Sequence, residues 1–319
     1  MKICMLGAGA LGCAIGAALI DGGHEVWLVN RDPAFLNALR HNGLLRRIDG
    51  QDRSLAVRAV PDCQEIAAAT GTVDLIIVLV KSFHTREAIA SALPIVGDNT
   101  VVMSLQNGLG HEEVLASVVG RHKVLAGKTY TGGVVLAPGH IIAGIAGKET
   151  LIGELDGTLS ERVQRIAGAF NQAGLITTVS QNIMGTMWDK LLVNVATGAL
   201  SAITRLPYGE LYQLPQIEAC AVAAVAETMA VAKAGGIALQ VTDPHAPWVK
   251  AAAGLPYEFK ASMLQSLENG SVTEIDFING AVVRQGAQWG VPTPVNQALV
   301  ACVKGIERGL FSSQQAAST

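Results

Sequence analysis

The chain has 319 residues, half of them hydrophobic, only 15% charged, with a net charge of −3. That length favours two domains with ample buried cores, and the sparse charge, without any basic block, argues against a nucleic-acid surface. No uninterrupted apolar segment is long enough to span a bilayer, and five scattered cysteines (Cys4, Cys13, Cys63, Cys220, Cys302) without C-x-x-C spacing predict a reduced, cytoplasmic chain with no disulfide framework.

The first predicted element is a short apolar strand that runs into Gly7-Ala8-Gly9-Ala10-Leu11-Gly12, followed by a helix of small residues to Asp21. This order is that of a dinucleotide-binding turn. The first glycine allows a sharp turn off the strand, the second lets the backbone approach a pyrophosphate, and the third lets helix and strand pack closely. The positive end of the helix then faces the phosphates. The apolar run from Lys2 to Ile20 mimics a secretory signal, but the strand–turn–helix reading explains its glycines and the signal reading does not.

A second strand, from His24 to Val29, ends at Asn30-Arg31-Asp32. Dinucleotide folds that bind NAD usually carry an acid there to hold the adenosine ribose. Asn30 removes that carboxylate, and the guanidinium of Arg31 suits a 2′-phosphate, so the reading favours NADP(H). The alternative leaves Arg31 in solvent, with Asp32 either holding the ribose or capping the helix that begins at Pro33.

Further strands are predicted at 73–80, ending at Lys81, and at 100–105, ending at Gln106-Asn107-Gly108. Fully apolar strands between helices fit a parallel sheet covered on both faces. Ligands of such sheets lie beyond the carboxyl ends of the strands, where Arg31, Lys81 and Asn107 fall; a solvated loop lysine and a simple turn asparagine are the plain alternatives. Two short β-like runs are expected around Asp49-Gly50, the far strands of the sheet within 123–153, a helix near 159–173 and a strand at 175–179.

Beyond residue 182 long Ala/Leu/Val segments predict helices at 183–202, 215–234, 257–268, 273–289 and 294–308, and a frayed tail after Leu310. The domains are therefore expected at 1–181 and 182–319. Lys190 and Asn194 fall on one helix face in an apolar stretch, where polar groups are costly unless something polar meets them. Snorkelling of Lys190 and a backbone bond from Asn194 are the plain alternatives. Ser262 could meet a carboxylate or cap a helix, and Glu274 could orient a lysine, hold a ribose hydroxyl or stabilise a helix start.

The ordered set of Gly7-x-Gly9-x-x-Gly12, Arg31, Lys81, Gln106-Asn107-Gly108, the Lys190/Asn194 pair, Ser262-Met-Leu-Gln265 and Thr273-Glu274-Ile-Asp276-x-Ile-Asn279-Gly280 resembles the ketopantoate reductase (2-dehydropantoate 2-reductase) family. The resemblance spans nearly the whole chain. It implies an α/β fold class, with an N-terminal Rossmann-type dinucleotide-binding domain followed by an all-helical C-terminal domain. It also implies NADPH and substrate in the cleft between them, and a homodimer. The implied activity is NADPH-dependent reduction of a small 2-oxo acid, ketopantoate to pantoate in pantothenate biosynthesis. Carried over by position, Lys190 is the catalytic acid, Glu274 an active-site carboxylate near the cofactor, and Ser262 and Asn194 substrate contacts. Asn107 touches cofactor and substrate, and Gly133 lies beside the nicotinamide. The cofactor set is Gly7, Ala8, Gly9, Ala10, Leu11, Gly12, Arg31, Lys81, Asn107, Gly133 and Glu274, with no metal.

Gly198, Tyr208 and Phe259 stand where that resemblance expects further asparagines. Lost hydrogen-bonding groups change specificity by orders of magnitude, so a less hydroxylated or more aromatic 2-oxo acid is an alternative substrate. An imine reductase and a non-catalytic NADPH-sensing protein are the remaining alternatives.

Overall fold

The computed structural model describes residues 1–317. They cluster into two units: Met1–Gln106 with His111–Ile183, and Asn107–Gly110 with the described residues from Met184 onward.

The strands of the first unit are β1 (Lys2–Leu6), β2 (Glu25–Val29), β3 (Leu44–Ile48), β4 (Gln51–Leu55), β5 (Arg58–Val60), β6 (Val73–Val78), β7 (Val96–Ser104), β8 (Val124–Thr129), β9 (Gly132–Ala137), β10 (His140–Gly144), β11 (Thr150–Glu154) and β12 (Thr177–Val179). Its helices are α1 (Ala10–Asp21), α2 (Pro33–Asn42), α3 (Cys63–Thr70), α4 (Thr85–Ser91), α5 (His111–Val119) and α6 (Glu161–Gln172). An eight-stranded sheet runs in the order β12-β11-β8-β7-β6-β1-β2-β5. Every pair is parallel except β8 with β11. The side chains of β1 alternate between two apolar cores: Ile3 and Met5 pack with α1, α2 and α6, while Cys4 and Leu6 pack with α3, α4 and α5. A strand stretch buried on both faces must be apolar, which is why 3–6, 75–78 and 101–103, the buried centres of β1, β6 and β7, read as apolar runs. Strand order reverses at β1, which lies between β2 and β6, and so a crevice opens at the carboxyl ends of β1 and β6.

Not all of 123–153 extends the main sheet. Only β8 and β11 do; β9 and β10 join the β3–β4 hairpin in a second, four-stranded sheet of order β4-β3-β10-β9. The hairpin turns at Asp49-Gly50, both at positive φ. The parallel pairing of β10 with β3 joins segments far apart in sequence, which local pattern does not disclose.

The second unit consists of helices: α7 (Ile183–Thr204, whose first residue clusters with the first unit), α8 (Tyr208–Leu211), α9 (Pro215–Ala234), α10 (Ala246–Ala252), α11 (Ser262–Glu268), α12 (Asn279–Trp289) and α13 (Pro294–Ala317). Two expected helices are shorter than their patterns. Residues 257–260 stay outside α11 because the carbonyls of Tyr257 and Phe259 accept the amides of Gly209 and Tyr208. Residues 273–278 form a 3₁₀ turn (Ile275–Phe277) before α12, because the Thr273 amide and hydroxyl both donate to Glu307 on α13. The frayed tail expected after Leu310 is instead helical to Ala317, and residues 318–319 lie outside the described residues. Glu227 accepts the first-turn amides of Val295 and Asn296, satisfying donors that a helix start leaves open. No helix among the described residues is long and apolar enough to cross a membrane.

Candidate functional site

The crevice at the ends of β1 and β6 is built by glycine. Gly7 sits at φ +105°, and a β-carbon there would lie 2.5 Å from the amide nitrogen of Val80. A β-carbon on Gly12 would lie 2.5 Å from the Gly7 carbonyl oxygen, so the first turn of α1 can close onto the loop only without a side chain. Gly9 differs: a β-carbon there would meet nothing within 4 Å. It is exposed, occupies the N-cap of α1 and offers no side chain to the first-turn amides. Open space in front of a helix amino terminus suits a phosphate-bearing ligand. The chain packs tightly behind this loop and leaves its front free, as a dinucleotide cradle requires.

Around the cradle the first unit brings together several residues singled out from the sequence. Gly133, at the start of β9, lies against Ala10; a β-carbon on it would be 3.0 Å from the Ala10 carbonyl. Asn30 donates from Nδ2 to the Ala8 carbonyl (2.9 Å), and its Oδ1 accepts the Asp32 amide. Asp32 in turn accepts the Ala34 and Phe35 amides and so caps α2. Arg31 pairs with Glu87 at 2.9 Å, with both side chains about two-thirds exposed (63% and 66%). A pair this exposed contributes roughly 0–1 kcal/mol, so exchanging it for a phosphate costs little. Lys81 is exposed just beyond β6, before a 3₁₀ turn at Ser82–His84.

In the second unit Lys190 and Asn194 both lie on α7, one turn apart and half-buried. Farther along the same helix, Thr197 accepts the Tyr208 hydroxyl at 2.8 Å. Tyr208 is only 7% exposed. Burial raises its pKa against the opposing effect of the Thr197 bond, so the phenol stays neutral. Phe259 packs edge-on to Tyr208, with ring centroids 5.0 Å apart. Met263 of α11 closes on Gly198, where a β-carbon would be 3.3 Å from Met263 Cε. Ser262, exposed, begins that short helix. Asn107 is exposed, and the following Gly108 is locked onto Phe277, whose carbonyl accepts the Leu109 amide at 2.9 Å. The same Phe277 ends the 3₁₀ turn that follows half-buried Glu274. Asn107 and Glu274 are thus held on joined segments, and Lys190 and Asn194 on one helix.

Sequence reasoning assigned no role to Glu307, which anchors Thr273 beside Glu274, or to Glu87, the partner of Arg31. Neither carried a signal, since each acts through a residue distant in the chain. Among the described residues no group of His, Cys, Asp and Glu could hold a metal ion.

Two family models match this chain: "Ketopantoate reductase PanE/ApbA" over residues 3–157 and "Ketopantoate reductase PanE/ApbA C terminal" over residues 182–307. A 2-dehydropantoate 2-reductase of Archaeoglobus fulgidus is 34% identical over 309 residues, covering 97% of this chain and 99% of that protein. The crystal structure of a PanE/ApbA family ketopantoate reductase from Ralstonia eutropha superposes with a TM-score of 0.87 at 34% identity, covering 98% of this chain and 100% of that one. A ternary structure of D-mandelate dehydrogenase with NADH and anilino(oxo)acetate gives a TM-score of 0.89 at 26% identity, over 98% of this chain and 100% of that one.

The glycines make separable predictions. Gly12→Ala should destabilise the fold by about 1–3 kcal/mol through overpacking. Gly9→Ala should leave stability within about 0.5 kcal/mol, as for a surface change, yet weaken dinucleotide binding at least about tenfold. Urea melts and cofactor titration of the two variants check this.

Proposed function

The chain belongs to the ketopantoate reductase PanE/ApbA family, and from that premise we propose that it reduces a small 2-oxo acid to the 2-hydroxy acid with NADPH, ketopantoate being the first candidate. It is an oxidoreductase of that family. The observation that carries the proposal is the half-buried pair of Lys190 and Asn194, one turn apart on α7. The plain reading of that pair, a snorkelling lysine and a backbone-bonded asparagine, gives no reason for both groups to share one face.

In this proposal NADPH, when bound, supplies the hydride that adds to the ketone carbon. Lys190 hydrogen-bonds the ketone oxygen and gives it a proton as negative charge develops there. Asn194 and Asn107 orient the carbonyl, Ser262 receives the substrate carboxylate, and Glu274 serves beside the cofactor. Positioning of this kind supplies much of the rate in reactions that need little covalent chemistry from the protein. The cofactor is held by residues 7–12, with Lys81 and Gly133 at the edges of the cradle. Two observations favour NADPH over NADH. Asn30 places an amide, bonded at its two ends to Ala8 and Asp32, where an acid would hold the ribose, and Asp32 caps α2 through Oδ1. Arg31 is the cation left for a 2′-phosphate.

A second reading has its own support. Tyr208 and Phe259 form an aromatic edge near Thr197 on α7, and the structurally similar D-mandelate dehydrogenase was solved with an aryl-bearing oxo compound. This favours an aryl 2-oxo acid in place of hydroxylated, branched ketopantoate. Reduction of an imine would show itself as amine-dependent NADPH oxidation, and a purely sensing protein as NADPH binding without turnover.

NADPH oxidation with ketopantoate and phenylglyoxylate separates these readings. The leading reading expects kcat/KM for ketopantoate to exceed that for phenylglyoxylate at least about tenfold. The reverse order supports the aromatic reading. Arg31→Ala should weaken NADPH by about tenfold or more and NADH by less than about threefold. Equal losses for the two cofactors would remove Arg31 from the 2′-phosphate.

A further inference from the structure

Lys81 is exposed, so its place at the crevice depends on the main chain on either side of it. That main chain is held by a buried polar network. Gln106, at the end of β7, is 5% exposed. Its Nε2 donates to the Val80 carbonyl at 2.7 Å and to Thr85 Oγ1 at 2.9 Å, and its Oε1 accepts from Ser104 Oγ at 3.0 Å. Every polar atom of the amide therefore has a stated partner. Thr85 Oγ1 passes the chain on, donating to the Ser82 carbonyl at 2.8 Å. On the other side of the turn, His111 Nε2 pairs with Ser82 Oγ at 2.9 Å. Residues 80 and 82, immediately before and after Lys81, are thus each pinned by side chains from beyond the turn.

We propose that Gln106, supported by the His111–Ser82 pair, is a positioning residue for Lys81. The inference rests on the cofactor role of Lys81 given above. His111 suits its part: burial, with Lys128 nearby, pushes its imidazole down to about 4, so the ring is neutral and can bond Ser82 without bringing charge into the interior. An amide bonded at every polar atom rigidifies its surroundings, and removing it leaves the part-buried Val80 carbonyl without its side-chain donor.

A double-mutant cycle in the full chain tests this, with Lys81→Ala, Gln106→Leu and the pair, reading NADPH Kd by cofactor fluorescence and thermal melting in parallel. Each single change is expected to weaken NADPH about tenfold, and Gln106→Leu to add less than about threefold once Lys81 is gone. Losses that multiply to about a hundredfold would overturn the positioning role while leaving Lys81 as a cofactor contact. An unchanged Kd for Lys81→Ala would overturn the cofactor role and the inference with it. Should Gln106→Leu melt below the assay temperature, Ser82→Ala takes its place in the cycle, with the same non-additivity expected and the same multiplicative outcome contrary.

Discussion

The architecture of the first unit turns on the contact between Gly7 and the end of β6. Parallel strands β1 and β6 bring two chain ends side by side, and each must leave the sheet within a few residues. Gly7 does so at positive φ with its α-carbon against the Val80 amide, and Gly12 then packs on the Gly7 carbonyl. With both contacts made, the amino end of α1 points into the crevice and Gly9 faces open space. Lys81 leaves β6 on the other side of the same contact. A side chain at Gly7 or Gly12 would force loop and strand apart, and with them the spacing on which a bound pyrophosphate would depend.

The second unit places chemistry by a different device. A long helix repeats every 3.6 residues, so Lys190, Asn194 and Thr197 fall along one side of α7. Its neighbours decide what that side meets. Tyr208 and Phe259 add an aromatic edge, and Met263 fills the space over Gly198. The turn carrying Glu274 is held by Glu307 of α13, which accepts from Thr273, and by the Leu109 amide, which donates to the turn's own Phe277 carbonyl.

The sequence discloses the parts governed by local pattern. Apolar runs at 3–6, 75–78 and 101–103 mark the centres of β1, β6 and β7, and the glycine spacing marks the cradle, because both follow from constraints within a few residues. The main helices of the second unit follow from composition, from Gly235, which caps the end of α9, and from Pro294, which opens α13. What was not legible depends on distant partners. The second sheet needs β10 to pair with β3; the 3₁₀ turn before α12 needs Glu307, 34 residues from Thr273. Gln106 stands out as a polar residue after a strand, but its partners Val80 and Thr85 lie 26 and 21 residues away. Tyr208 and Phe259 could be flagged as departures from a familiar pattern, yet only their packing shows that they form one aromatic edge.

In the proposed reaction the first unit binds the cofactor and Lys190 on α7 supplies the proton. The most direct test is the ratio of turnover to NADPH affinity in Lys190→Ala. With Lys190 as the proton donor, kcat falls by about a thousandfold or more while the NADPH Kd stays within about threefold. Turnover within about tenfold of the unmodified chain would contradict it, and the proton would have to come from another group.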